Sequence, residues 1–375
     1  MFKKLRRELV NNLKNIPGWK TDRKIVVIES DDWGSIRMPS KHAYNDLLKF
    51  GIDLTSGDAH RYNLYDSLAT EDDLISLFDV LTSFKDHLNN HPKFTVVSVV
   101  ANPDFEKIEQ NNFEKYFYEP FTETLKKYPR CENSFSLWQQ GISEKIFIPQ
   151  FHGREHLNVY NWLKDLRNGD TETLYAFKYK MWGFRKRNKN DISYQAAFDL
   201  KNINELKSQS DIIIDGLGLF YKLHKYKAQF FVPPNGPFNS SLKSPALDGG
   251  IKYISTPKIH YEPVGEGRTK RSFHWIGQKN KLGQLYLTRN CFFEPSNNSK
   301  DWVDSCLSDI QYAFKWKKPA VISSHRVNYI GALDVKNRDN GIKNLRKLIS
   351  SILKRWPDAE FMTSDELGNL ISGNK

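Results

Sequence analysis

The chain has 375 residues, with Lys+Arg 56 against Asp+Glu 44 and a formal net charge of +12. Aromatic residues are plentiful (Phe 24, Tyr 17, Trp 9), which excludes a disordered chain and leaves ample material for a buried core. Three widely spaced cysteines, Cys131, Cys291 and Cys306, exclude a disulfide framework and predict buried free thiols, and no apolar run reaches the ~18–20 residues of a membrane-spanning helix.

Residues 1–22 are expected to form a basic N-terminal helix or arm, and residues 23–375 a single domain without repeats or linkers. "FKKLRRELVNNLKNI" places Leu5, Leu9, Leu13 and Ile16 on one helical stripe. That stripe either docks on its own domain or rests on an anionic membrane surface. The basic start lacks an apolar h-region, so no secretory signal is expected in it. The expected location is cytoplasmic, with a peripheral position at the inner membrane face left open. Basic residues cluster at Lys3, Lys4, Arg6 and Arg7, and again at Arg185, Lys186, Arg187 and Lys189. Solvated faces are the ordinary reading. Without a zinc finger or an RRM-type signature, nucleic acid is not an expected partner.

"RKIVVIES" (Arg23–Ser30) is a β-branched apolar run and predicts a buried strand. "DDWGSIRMPS" follows as a loop, with Gly34 and Pro39 as breakers. Ser40 caps and Gly51 stops a short helix, and Thr70 caps a second, amphipathic one. "FTVVSVVAN" and "KIFIPQF" are the next two strands. "NVYNWLKDLRNGD" is a helix ending at Gly169. "DISYQAAFDLKNINELKSQSDIIIDGLGLFYKLHKY" predicts a long helical region with breaks at Gly216 and Gly218. The strands "AQFFVPPNG", "GIKYIST", "QLYLTRNCFFEPS" and "PAVISSHRVN" come next, and a last strand and helix lie in "AEFMTSDELGNL". About seven apolar strands thus alternate with helices, which predicts an α/β fold with a parallel sheet, open or closed into a barrel.

In such folds chemistry gathers at the carboxyl ends of the strands. Asp31 and Asp32 follow the first strand, His152 and His156 the third, Asn235 the fourth, and His325 the strand "AVISS". Adjacent aspartates on a regular strand point to opposite faces, but Gly34 breaks this one early, so both can turn inwards. A helix beginning near Gly153 would put both histidine rings on one face. One aspartate with two histidines is a facial ligand set that leaves positions open for water and substrate. Residues 152–156 also fit H-x-x-E-H, the inverted zinc-peptidase motif, with Glu155 as base and Glu205 as the downstream ligand.

Together these residues resemble the polysaccharide deacetylases with a NodB-type domain, the carbohydrate esterase family 4-like group. The resemblance runs from Arg23 to about Leu370 and rests on "SDDWG", "HGREH", the looser "VPPNGPF" and "ISSHRVN", in that order. It implies a distorted (β/α)7-type barrel of parallel strands. The stretch from Asp32 to His152 is longer than the family's usual one, which predicts extra helices between the first and third strands. The resemblance implies that Asp31 is the general base and that Asp32, His152 and His156 hold a divalent ion, Zn²⁺ foremost. His325 would protonate the leaving amine. Trp33, Pro234, Asn235 and Arg326 would face the substrate. The family's motif-three arginine has no counterpart near Val232, which leaves Arg326 or Arg154 as stand-ins. The reaction implied is metal-dependent removal of an acetyl group, N-acetyl foremost, from a sugar or glycan reachable from the cytoplasm. A catalytically silent glycan-binding barrel and the zinc metallopeptidase are the alternatives.

Overall fold

The computed structural model describes residues 2–186 and 192–373. Its strands are β1 (Lys24–Trp33), β2 (Phe94–Ser98), β3 (Ala101–Pro103), β4 (Tyr118–Pro120), β5 (Phe147–Phe151), β6 (Phe230–Phe231) and β7 (Tyr253–Ser255). They continue with β8 (Ile259–Gly265), β9 (Arg268–Phe273), β10 (Leu285–Leu287), β11 (Cys291–Phe292), β12 (Ala320–His325) and β13 (Ala359–Met362). The main sheet runs β10–β7–β6–β5–β2–β1–β12–β11, with β13 joined to β1 off that path. Its pairings are parallel. The sheet curls into a half-barrel with helices around it, the distorted (β/α) barrel expected.

β1 is the central strand. It pairs with β13 through Lys24–Val27, with β2 through Ile28–Trp33, and with β12 on its other side. Ile25, Val26, Val27 and Ile28 are all buried, because a parallel strand covered on both faces has no polar side to show. Three helices, Lys41–Phe50, Ala59–Tyr65 and Glu71–Thr82, lie between β1 and β2, and three more lie between β2 and β5. They are the extra helices expected there. Ser40 and Thr70 cap as predicted, Ser40 accepting from Ala43 N and Thr70 from Asp73 N.

"QLYLTRNCFFEPS" does not form the one strand expected. β10 pairs with β7 and β11 pairs with β12, at opposite edges of the path. Thr288, Arg289 and Asn290 alone separate them in sequence, so this short segment bridges the seam of the curl. Asn290 satisfies the seam: its Oδ1 accepts from Val321 N and its Nδ2 donates to Pro319 O.

The long helical region is corrected too. Only Glu205–His224 is helical, and Gly216 and Gly218 do not break it. Gly216 is there for packing: a Cβ would meet the Phe151 ring at 2.9 Å and the Arg154 Cβ at 3.0 Å. An antiparallel β8–β9 hairpin stands outside the main sheet and was not among the expected strands. Its polar alternation gives no apolar run to recognise.

Of the two expectations for the stripe on the N-terminal helix, Phe2–Leu13, the structure does not show docking on its own domain. The helix's asparagines face the body: Asn11 Nδ2 donates to Asp309, and Asn12 Oδ1 accepts from Trp316 Nε1. Leu9, Leu13 and Ile16 are 59, 54 and 45% exposed. Among the described residues no helix is long and apolar enough to cross a membrane, and Cys131, Cys291 and Cys306 are buried and free.

Candidate active site

A cavity of about 750 Å³ opens at the carboxyl ends of the strands, lined among others by Asp31, Asp32, His152, His156, Asn235 and His325. Both aspartates face it because β1 is irregular there. Ser30 pairs with Val96 and Trp33 with Ser98, so three steps on β1 oppose two on β2. The extra residue is a bulge, and Asp32 sits in it at φ 75°, in the left-handed region. A non-glycine residue held there is strained, and such strain collects at functional sites.

The histidines do not share a helical face. Gly153 at φ 119° cannot continue a right-handed helix, and the next helix begins at Val159. A loop brings the rings together instead, with centroids 4.9 Å apart. Both reach Asp32 Oδ1, His152 Nε2 at 3.4 Å and His156 Nε2 at 3.2 Å. Asp32, His152 and His156 each offer a ligand atom within 4.8 Å of the others.

The set fits a divalent ion on three counts. His152 Nδ1 donates to Val232 O at 2.7 Å, which turns the Nε2 lone pair inwards in the usual outer-shell arrangement. That Nε2 is buried without a hydrogen-bond partner. Burial also pushes the His156 imidazole below its ordinary pKa, against the pull of Asp32, so the ring stays neutral.

Asp31 has a different partner. Arg289, from the seam between β10 and β11, grips it with Nη1 at 2.7 Å and Nη2 at 2.6 Å. Its Nε donates to Glu29 Oε2 at 2.5 Å. Burial raises the Asp31 carboxyl, and Arg289 more than offsets this, leaving it below its ordinary value. Arg289, and not Arg326 or Arg154, is thus the arginine on the Asp31 carboxylate. Spacing could not find it, because it comes from another strand junction. His325 Nδ1 donates to Glu294 Oε1 at 2.6 Å, and its Nε2 lies 3.9 Å from Asp31 Oδ2. Burial lowers the imidazole, but Glu294 overrides it and raises the pKa to about 9. Glu294 is held in turn by Arg61 Nη1 at 2.7 Å and Asn328 Nδ2 at 2.8 Å. Neither Arg289 nor Glu294 was among the expected site residues, though both follow short apolar strands.

None of the protein-family models matches the chain, and no curated protein matches it. Solved structures do. A protein of Pseudomonas aeruginosa PAO1 described as a "probable polysaccharide deacetylase" aligns at 9% identity and TM-score 0.45, over 93% of this chain and 91% of that one. The PuuE allantoinase aligns at 9% identity and TM-score 0.46, over 94% and 91%. The peptidoglycan deacetylase PdaC of Bacillus subtilis aligns at 10% identity and TM-score 0.34, over 94% and 92%. These neighbours carry the names of different activities and lie far off in sequence, and a shared fold does not fix a reaction.

Three expected substrate contacts fall elsewhere. Trp33 is 1% exposed and points into the core, its ring edge-on to Trp138 and Phe147. The bulge that turns Asp32 towards the cavity leaves Trp33 on the opposite face. Pro234 is buried beneath Gly153, and Pro233 lines the cavity in its place. Arg326 is fully buried, bonded to Asp66 Oδ1 and Ser35 O. It cannot reach substrate or Asp31. Arg154 is equally committed, to Glu155 and Asp215. Glu155 is thereby turned away from the histidines, and Glu205 accepts from Lys201 N and Asn202 N, so the peptidase arrangement is not assembled. Of the second basic cluster, Arg187 and Lys189 lie outside the described residues.

Proposed function

We propose that this chain is a metal-dependent hydrolase that removes an acetyl group, N-acetyl foremost, from a sugar or glycan. One observation carries the reading: in a single cavity a three-ligand set adjoins an arginine-held carboxylate and a carboxylate-held histidine. A divalent ion, with Zn²⁺ the expected one, would supply Lewis-acid polarisation of the acetyl carbonyl and a more acidic water. Asp31 takes a proton from the attacking water. His325, protonated at neutral pH, gives its Nε2 proton to the leaving nitrogen. Arg289 and Glu294 orient these two groups and keep one anionic and the other cationic. Asn235, on the cavity wall, contacts the sugar.

The test is metal content and acetate release together. The wild type is expected to hold about one ion per chain and Asp32→Ala to lose it, while Asp31→Asn keeps the ion and loses acetate release from N-acetylated oligosaccharides. An Asp32→Ala protein that kept its metal would sink the assignment. One observation favours a second reading, a glycan-binding barrel without turnover: Arg289 occupies both Asp31 oxygens, which weakens that carboxylate as a base. Metal binding without acetate release from any acetylated sugar would bring it forward.

The reading includes a membrane surface. The outward apolar stripe, with Lys3, Lys4, Arg6 and Arg7 in the same helix, has the composition of a helix lying on anionic lipid. The same arm carries Lys14 to the rim of the cavity. This supports a peripheral enzyme on the cytoplasmic face acting on a membrane-borne acetylated glycan. Cell fractionation that found the protein wholly free of membrane would count against it.

A further inference from the structure

Three of the five lysines and arginines lining the cavity have a carboxylate partner. Arg289 has Asp31 and Glu29. Arg61 has Asp58 and Glu294. Lys14 has Asp309. Arg37 is different. It lines the same cavity and is only 7% exposed, yet among the described residues no carboxylate pairs with it. Its Nη2 donates to Gln195 Oε1 at 2.8 Å, its guanidinium lies 5.4 Å from the Tyr62 ring, and its Nε is buried with no hydrogen-bond partner.

A buried guanidinium without a counter-ion is costly, and proteins rarely keep one unless something else supplies the charge. The nearby carboxylates are already engaged. Asp66 accepts from Arg326, and Asp32 faces the two histidines. An ion held by Asp32 would remove even its long-range compensation. The site is also rigid: Gly183 packs against the guanidinium so closely that a Cβ there would lie 3.3 Å from Arg37 Nη1, and Gln195 Nε2 is anchored on Gly183 O. A pre-positioned planar fork suits a carboxylate or a phosphate, both of which accept two parallel hydrogen bonds.

We propose that Arg37 binds an oxyanion carried by the substrate, so that the acetylated sugar is a phosphorylated or carboxylated one rather than a neutral glycan. This rests on the reading that the cavity is the reaction site, and it concerns which sugar enters, not whether it is hydrolysed.

The test is therefore binding, by calorimetry on the metal-replete protein. The probes are N-acetylglucosamine, its 6-phosphate, N-acetylmuramic acid and inorganic phosphate. The phosphate ester or the muramic carboxylate is expected to bind about 10-fold or more tighter than the neutral sugar, the usual worth of a charge-assisted pair. The stronger of the two names the source of the oxyanion. Arg37→Gln is expected to abolish that preference while leaving neutral-sugar affinity and metal content unchanged. Arg37→Lys, which keeps the charge and loses the fork, folds under milder demands and should retain only part of it. Equal affinity for neutral and anionic probes in the wild type, including no measurable binding of any, overturns the proposal. So does a preference that survives Arg37→Gln. Loss of acetate release with the anion preference intact would instead count against the hydrolase reading alone.

Discussion

Arg289 holds Asp31 by both oxygens, at 2.7 and 2.6 Å, although 258 residues separate them. The contact forms because the segment carrying Arg289 crosses the seam of the curled sheet, opposite the end of β1. Arg289→Lys keeps a charge but not the fork. Acetate release is expected to fall by about 100-fold, as for a misplaced catalytic group, with metal content unchanged. Arg289→Met leaves Glu29 and Asp31 buried without their cation, and urea unfolding should show a loss of roughly 3–5 kcal/mol.

The His325–Glu294 pair makes stability depend on alkaline pH. The ring is raised from its ordinary 6.5 to about 9 in the folded protein. The folded state therefore binds the proton more tightly than the unfolded chain. The resulting stabilisation is fully present below pH 6.5 and is lost as pH rises through about 9. NMR titration should place the His325 midpoint near 9, and Glu294→Gln should bring it back towards 6.5. A midpoint unchanged by that substitution would show that Glu294 does not set it.

The N-terminal helix turns polar residues inwards and apolar residues outwards. Replacing Leu9 and Leu13 with Gln is therefore expected to leave the melting temperature within the small range of surface changes. Co-sedimentation with vesicles containing phosphatidylserine should fall sharply. A large drop in melting temperature would mean that the stripe is buried against the protein itself.

Gly341 supports the site from behind. It lies in the helix Val335–Arg355, and a Cβ there would come within 1.6 Å of Asn328 O. Asn328 is the residue that steadies Glu294. Gly341→Ala is expected to cost roughly 2–3 kcal/mol and to perturb His325 as well. Gly218→Ala, in a helix with open space around it, should instead stabilise by about 0.5–1 kcal/mol. Urea unfolding of the two variants side by side tests the contrast.

Local patterns were enough for the parallel α/β architecture, for the caps at Ser40 and Thr70, and for the gathering of Asp31, Asp32, His152, His156 and His325 at strand ends. Apolar runs, caps and breakers act over a few residues, so one sequence displays them. Tertiary structure decided the rest. It put Trp33 in the core because a bulge at Asp32 reset the alternation of β1. It placed Arg326 beside Asp66 and gave Asp31 to Arg289. It also turned the N-terminal helix over, because Asp309 and Trp316 offered its asparagines partners. Each of these outcomes depends on which chain segments meet across the barrel. A pairing between groups hundreds of residues apart is fixed by the closure of the sheet, and no local spacing records it.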